Sequence, residues 1–334
     1  MLSLAVFCVL IAVSAGSYDE SLARNKLAPL AGAAYTTIPG KCLSNAFTRA
    51  ELIKQVIVPC ENDNTDTCSG FVAVSHGDKA VIVSFRGTMN IVQLLIEGAN
   101  TVFSPKVPFP AGGKVGKYFF NGYTSTWQGG LKDSFLNATK NYPDYSIWLT
   151  GHSLGGALAT LAATEIVSNG YVPANKVKLY TFGQPRVGDS AFAMAHDKLG
   201  FESYRIIHAG DLVPHIPFGL FDDYTQHKSE IWYNNRMGVN SNYDVCEGQK
   251  RSSCSDNISF FRYRVSDHLN YFDRSVSGFG EDSCIAGLHK NGMQQRSGDL
   301  DLDEALDAQV NAIWKQKYDE MQKAAAAKNI TFAR

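Results

Sequence analysis

The chain has 334 residues, of which 45% are hydrophobic and 19% charged, and its formal net charge is −1. That length holds one large α/β domain or two modest ones, and the apolar fraction supplies a sizeable core. A near-neutral balance without any polybasic run excludes the electrostatic hold on nucleic acid or an anionic membrane that binding proteins of those classes need.

In chain order, Leu2 to Val13 is almost wholly apolar and is followed by the small residues Ser14, Ala15 and Gly16. This pattern predicts an export signal over residues 1–15. The run is too short to span a bilayer comfortably and no later stretch reaches that length, so no stable membrane anchor is expected. The mature protein is read as secreted and extracellular. Of seven cysteines, Cys8 lies in the signal, leaving six. In a secreted chain these suggest disulfides, and spacing favours two short clips, Cys60–Cys68 and Cys246–Cys254, with Cys42–Cys284 as the remaining pair. No CxxC pair or histidine cluster has zinc-ligand spacing, so no zinc site is expected, and the serine chemistry read below needs neither a metal nor an organic cofactor. Sequons at Asn137, Asn257 and Asn329 permit glycosylation in that compartment.

Phe71–Ser75 and Ala80–Phe85, separated by His76-Gly77-Asp78-Lys79, predict a β-hairpin. Leu131, Phe135, Ala138 and Tyr142 mark one face of a helix. Tyr145–Thr150 reads as a strand and Gly156–Ala163 as a helix. Between them stands Gly151-His152-Ser153-Leu154-Gly155, the G-x-S-x-G pattern of a nucleophile elbow, with the strand and helix that pattern requires on either side. Val177–Phe182 is a further strand, Ala191–Leu199 a helix, and Ser203–His208 a strand closed by Ala209-Gly210-Asp211. The alternation predicts an α/β fold of the α/β-hydrolase type. It would be a single domain over residues 16–288, with a mostly parallel sheet and helices on both faces. Residues 289–334 are expected to be a helical extension, amphipathic through Leu302, Leu306, Val310, Ile313 and Met321, fraying from Ala324 onward. Its Asp299, Asp301 and Asp303 lack the glycine and glutamate of a calcium loop.

A serine hydroxyl needs a base to take its proton, and the base needs an orienting group. In a sheet of this type the partners follow the serine in the order acid, then histidine. Asp211 ends a strand at the edge where catalytic groups gather, although an aspartate that merely closes a turn after Gly210 fits as well. Among eight histidines, His152 abuts the serine but points elsewhere on so tight a turn, His76 falls in the hairpin turn and His208 within a strand. His215 follows Asp211 too closely, and His196, His227 and His289 have no motif around them. His268, in a loop-like segment late in the chain, is compatible with the role, but spacing alone does not single it out. The Leu154 N–H is one candidate oxyanion donor, and the Arg86-Gly87-Thr88 loop, with the Thr88 hydroxyl, offers others. Next comes Met89–Asn100, where the polar residues Gln93, Glu97 and Asn100 recur at i, i+4 and i+7 and Ile91, Val92, Leu94, Leu95, Ile96, Gly98 and Ala99 are apolar or glycine. Asn90, Ile91, Val92, Leu94, Leu95 and Ile96 are read as a lid that covers a groove in water and opens onto lipid. A plain core helix would show the same pattern. Ser104–Pro110 and Gly112-Gly113 offer the hinge.

Taken together, five segments resemble the fungal-type (class 3) secreted triacylglycerol lipases: Ser84–Thr88, Leu149–Gly156, Leu179–Gly188, Asp211–Pro217 and Asp267–Phe272. The resemblance runs from about Phe71 to Cys284 with the motifs in register. It implies a Ser153–Asp211–His268 triad, backbone donors at Thr88 and Leu154, a lid over Asn90–Ala99 and the three disulfides above. Phe120 stands where such lipases usually carry a histidine, which makes the pocket wall more apolar, and the tail after Cys284 is longer than the family domain requires. The expected function is secreted, serine-dependent hydrolysis of acylglycerols to free fatty acids through an acyl-enzyme, with lipid at an oil–water or membrane interface as partner. The alternatives are a phospholipase A1 or soluble carboxylesterase of the same fold and, from another class, a non-catalytic lipid-binding protein.

Overall fold

Alternation along the predicted hairpin splits its side chains between two cores. Val72, Val74, Val81 and Val83 face one way, and Phe71, Ala73, Ala80 and Ile82 the other. A strand buried on both faces reads as a continuous apolar run, which is how Ala80–Phe85 reads. The computed structural model describes residues 17–60, 67–89, 105–217, 223–248, 254–259, 262–285 and 299–327. The expected export signal, the lid residues Asn90–Ile96 and the sequon at Asn329 lie outside them.

Eight strands form the main sheet: β1 Ala50–Pro59, β2 Thr67–Ser75, β3 Ala80–Phe85, β4 Ser146–His152, β5 Val177–Phe182, β6 Glu202–His208, β7 Glu230–Tyr233 and β8 Asp244–Cys246, adjacent in chain order. The strands from β3 to β7 are parallel, whereas β1, β2 and β8 pair antiparallel at the two edges. One face is covered by helices α3 Lys117–Thr126, α4 Lys132–Asn141 and α5 Leu154–Ser168. The other is covered by α1 Ala28–Ala33, α2 Pro39–Ala46 and α8 Val276–Glu281. Helix α6, Ser190–Lys198, follows β5. Cys42–Cys284 ties α2 to the end of α8, Cys60–Cys68 clips β1 to β2, and Cys246–Cys254 closes the loop after β8. Asn137, on α4, and Asn257 are exposed.

Parallel register does the positioning. Phe85 sits opposite Gly151, and His152 opposite Phe182, so the segments after β3, β4 and β6 emerge along one edge of the sheet. Those segments carry Thr88, Ser153 and Asp211. His268 departs from expectation: it belongs to a short helix, α7 Val265–Leu269, rather than a loop. Five residues are too few to show helical periodicity in sequence. The C-terminal helix, α9, spans Asp299–Ala327 and stays helical through Ala324–Ala327, in keeping with the high helix propensity of alanine.

Candidate active site

Ser153 stands between β4 and α5 with φ 58° and ψ −131°, a region that costs a non-glycine residue about 1–3 kcal/mol. The turn is held on both sides: Ser153 N–H donates to Phe182 O at 2.9 Å, and Ser153 O accepts from Gly156 N–H at 2.9 Å. A Cβ on Gly151 would drive into the backbone of Gly155, and one on Gly155 into Phe85 O, so a side chain at either position would open the turn. The serine side chain is buried, and its Oγ has no hydrogen-bond partner among the described residues.

Asp211 and His268 are both fully buried. His268 Nδ1 lies 2.9 Å from each Asp211 oxygen. The Tyr271 hydroxyl donates to Asp211 Oδ2 at 2.6 Å, and Val213 N–H to Oδ1 at 2.9 Å. Burial pushes the Asp211 carboxyl upward, but the charge and hydrogen bond of His268, with the bonds from Tyr271 and Val213, outweigh it and hold it below its ordinary value. A carboxylate only accepts, so the proton sits on Nδ1 and leaves Nε2 as the basic atom. That atom has no partner among the described residues. Burial, then the neighbouring Asp211 charge, pushes the Tyr271 phenol well above its usual range, so it remains a donor.

His152, next to the serine, holds the His268 ring from the side. Its ring stacks on His268 with centroids 4.5 Å apart, and its Nε2 donates to His268 O at 2.8 Å. With the proton on Nε2, Nδ1 accepts from the Tyr35 hydroxyl at 2.7 Å. Hydrogen bonds thus connect Tyr35, the elbow residue His152 and His268. Gly87 is needed there, because a Cβ would collide with Tyr35 Oη, His152 O and Ser153 Cβ. The Arg86–Thr88 loop is therefore packed directly against the serine. The buried Thr88 Oγ1 also has no partner among the described residues. Leu154 opens α5 directly after the serine, where the helix N-terminus favours developing negative charge. Met89, which leads into the expected lid, is exposed.

Motif reading passed over Tyr35 and Tyr271. Tyr271 lies three residues after His268, inside a segment already singled out, so a search for donors to the acid would have reached it. Tyr35 carries no local signal at all.

Among the described residues, two other groups have ligating atoms close together, His196/Asp197/His227 and Glu230/Cys246/Cys254. In the first, both His196 nitrogens are engaged, by Thr164 and Ser203 hydroxyls. In the second, the cysteines are bonded to each other.

The buried imidazoles give the fold a pH dependence. Burial, with the nearby His268, pushes His152 down to about 3; burial, with Arg205, pushes His196 to about 3. An unfolded histidine titrates near 6.5, so over the interval between these values the unfolded chain binds protons that the folded chain refuses. Stability should therefore fall as pH drops below about 6.5, by up to about 1.4 kcal/mol per ring per pH unit. Asp211 adds to the loss at the acid end, where its depressed carboxyl is finally protonated; Asp267, raised by burial, opposes it. Thermal melts from about pH 6 to pH 4 check this, and a flat melting temperature would contradict it.

A parallel-centred sheet, helices on both faces and a serine on a strained strand–helix turn define an α/β hydrolase. The family profile described as Lipase (class 3) matches residues 82–221. Lipase ZK262.3 of Caenorhabditis elegans is 35% identical over 316 residues, covering 85% of this chain and 88% of that protein. The solved Rhizomucor miehei triacylglyceride lipase superposes with a TM-score of 0.66 at 30% identity, over 75% of this chain and 93% of that one. A second solved structure, described as having a serine protease triad at the catalytic centre of a triacylglycerol lipase, gives 0.65 at 28% identity, again over 75% and 93%. The chain spans about half the length of the curated fungal relatives it matches, 55% for the Rhizomucor miehei lipase. The chain belongs to the class 3 lipase family and is a hydrolase of that family. No helix among the described residues is long and apolar enough to cross a membrane.

Proposed function

We propose that this protein is a secreted lipase that hydrolyses acylglycerol esters at a lipid–water interface, with Ser153 as nucleophile, His268 as general base and acid, and Asp211 as the group that orients and charge-stabilises the histidine. One observation carries the reading: His268 has its Nδ1 fixed by a buried carboxylate and its ring stacked on His152, the residue next to Ser153, and neither His268 Nε2 nor the buried Ser153 Oγ has a hydrogen-bond partner among the described residues. In the first half-reaction His268 Nε2 takes the Ser153 proton as Oγ bonds to the ester carbonyl carbon. The carbonyl oxygen becomes an oxyanion received by the backbone N–H groups of Thr88 and Leu154, with the Thr88 hydroxyl as a third donor. Collapse breaks the bond to the glycerol oxygen, which leaves with the proton from His268, and the acyl group stays on Ser153. In the second half-reaction His268 deprotonates water, the hydroxide adds to the acyl carbon, and the fatty acid departs as Oγ regains its proton. Asp211 remains ionised throughout.

The lid assigned to Asn90–Ile96 supplies the interfacial part of the reading. Its apolar width beside the Thr88 loop fits a cover that opens when lipid can receive its greasy face. With purified protein and a short-chain triglyceride, the rate should rise steeply once substrate exceeds its solubility limit. Saturation below that limit would point to a soluble esterase, and preferential turnover of phospholipid in the same assay would point to a phospholipase A1. The cysteine framework and the leader fit export. Recovery of the protein from the cells rather than the medium of a secreting host would contradict that assignment.

A further inference from the structure

The tail that the family domain does not require is built into the site. On α9, Val310 and Trp314 are buried against Leu212, Val213, Ile216, Tyr263 and Val265. Leu212 and Val213 follow Asp211 directly, and Val213 N–H bonds the Asp211 carboxylate. Val265 opens α7, the single short helix that carries His268.

Such a helix presents its first amides with no partners inside it. The residue preceding α7, Arg264, contributes no side-chain cap. The cap comes instead from α9. Asp307, 6% exposed, accepts from Val265 N–H at 2.7 Å and Ser266 N–H at 3.2 Å through Oδ1, and from the Ser266 hydroxyl at 2.7 Å through Oδ2. One turn later on the same face, Asn311 Nδ2 donates to Tyr263 O at 2.9 Å. One stripe of α9 therefore touches the segments that carry both the acid and the base.

We propose that Asp307 is a positioning residue for the hydrolysis: by capping α7 from a distant helix it holds the His268 imidazole on the line between Asp211 and Ser153. This rests on the Ser153–Asp211–His268 reading above. A nucleus of five helical residues is intrinsically unfavourable without such support. Displacement of a catalytic group by an ångström can cost about 100-fold in rate. A helix that only adds buried apolar area would instead change stability and leave turnover per folded molecule alone.

The test uses the full-length secreted chain, a water-soluble short-chain nitrophenyl ester, and assays well below each variant's melting temperature. Asp307→Ala should lower kcat by about 10–100-fold with little change in KM, and should slow phosphonate labelling of Ser153 by the same factor. Asp307→Asn keeps Oδ1 for the two amides and presents an NH2 group to the Ser266 hydroxyl, which can also accept, so kcat should stay within about threefold of the parent. Unchanged kcat in folded Asp307→Ala, or equal damage in Asp307→Asn, overturns the proposal. If Asp307→Ala does not fold, Ser266→Ala takes its place; it removes one of the three bonds and should lower kcat by about threefold at constant KM, and an unaltered kcat there overturns the proposal instead. Ser153→Ala, run alongside, separates the two readings. Turnover that survives in Ser153→Ala defeats the triad itself, whereas an inert Ser153→Ala beside a fully active Asp307→Ala defeats only the role of Asp307.

Discussion

Ser153→Ala should lower kcat by about 10⁶ while leaving the melting temperature within a few degrees of the parent. The size of the loss follows from the chemistry: alanine has no oxygen to attack the ester carbonyl, so the acyl-enzyme route is closed. The fold should tolerate the change because the serine Oγ makes no hydrogen bond among the described residues. Alanine removes only that atom from a turn whose constraints come from the backbone bonds to Phe182 and Gly156 and from the glycines on either side. The residual rate should come from the oxyanion donors and substrate binding, which survive the substitution. Steady-state hydrolysis of a soluble ester by purified protein, with a melt on the same sample, measures both quantities.

Asp211→Asn should lower kcat by about 10⁴ with the site geometry largely retained. The cause is the tautomer. Each carboxylate oxygen lies 2.9 Å from His268 Nδ1, and Oδ1 and Oδ2 also accept from Val213 N–H and the Tyr271 hydroxyl. In the amide, the oxygen can serve only one side of this arrangement, and the NH2 group must face a donor or Nδ1. If it faces Nδ1, the imidazole proton is driven to Nε2, where it can no longer accept from Ser153. The charge that stabilises the imidazolium in the transition state is lost at the same time. Tyr271 sharpens the expectation, since its phenol is held protonated and its donation to Oδ2 resists rotation of the group. Rate measurements on Asp211→Asn near neutral pH check this; a loss of less than about tenfold would mean that the carboxylate neither sets the tautomer nor stabilises charge.

The parts legible in sequence are those whose cause is local. Val177–Phe182 reads as a strand because both of its faces are buried, and the structure gives the same bounds. Gly151 and Gly155 are required by a turn whose collisions arise within a few residues and the adjoining strand end. The parts that were not legible depend on distant segments. No strand was expected over Ala50–Pro59, whose residues are mostly exposed at the sheet edge and whose alternation breaks at an irregularity between Leu52 and Lys54. α3, Lys117–Thr126, runs into a π-turn with a glycine at φ 127°, which hides its period. His268 reads as loop because the groups that support its helix arrive from α9, and the link from Tyr35 to His152 crosses 117 positions. Asp307 carries no signal in the sequence; its bonds to Val265 and Ser266, 42 and 41 positions away, appear only in the fold.

The most direct measurement of the central claim is mass spectrometry of the full-length protein after reaction with an alkyl phosphonate ester that mimics the first tetrahedral intermediate. The account predicts a single adduct, mapped to the peptide containing Ser153, that forms in step with loss of ester hydrolysis and is absent in Ser153→Ala and strongly slowed in His268→Ala. An adduct on another residue, or hydrolysis that persists with Ser153 fully modified, would contradict it.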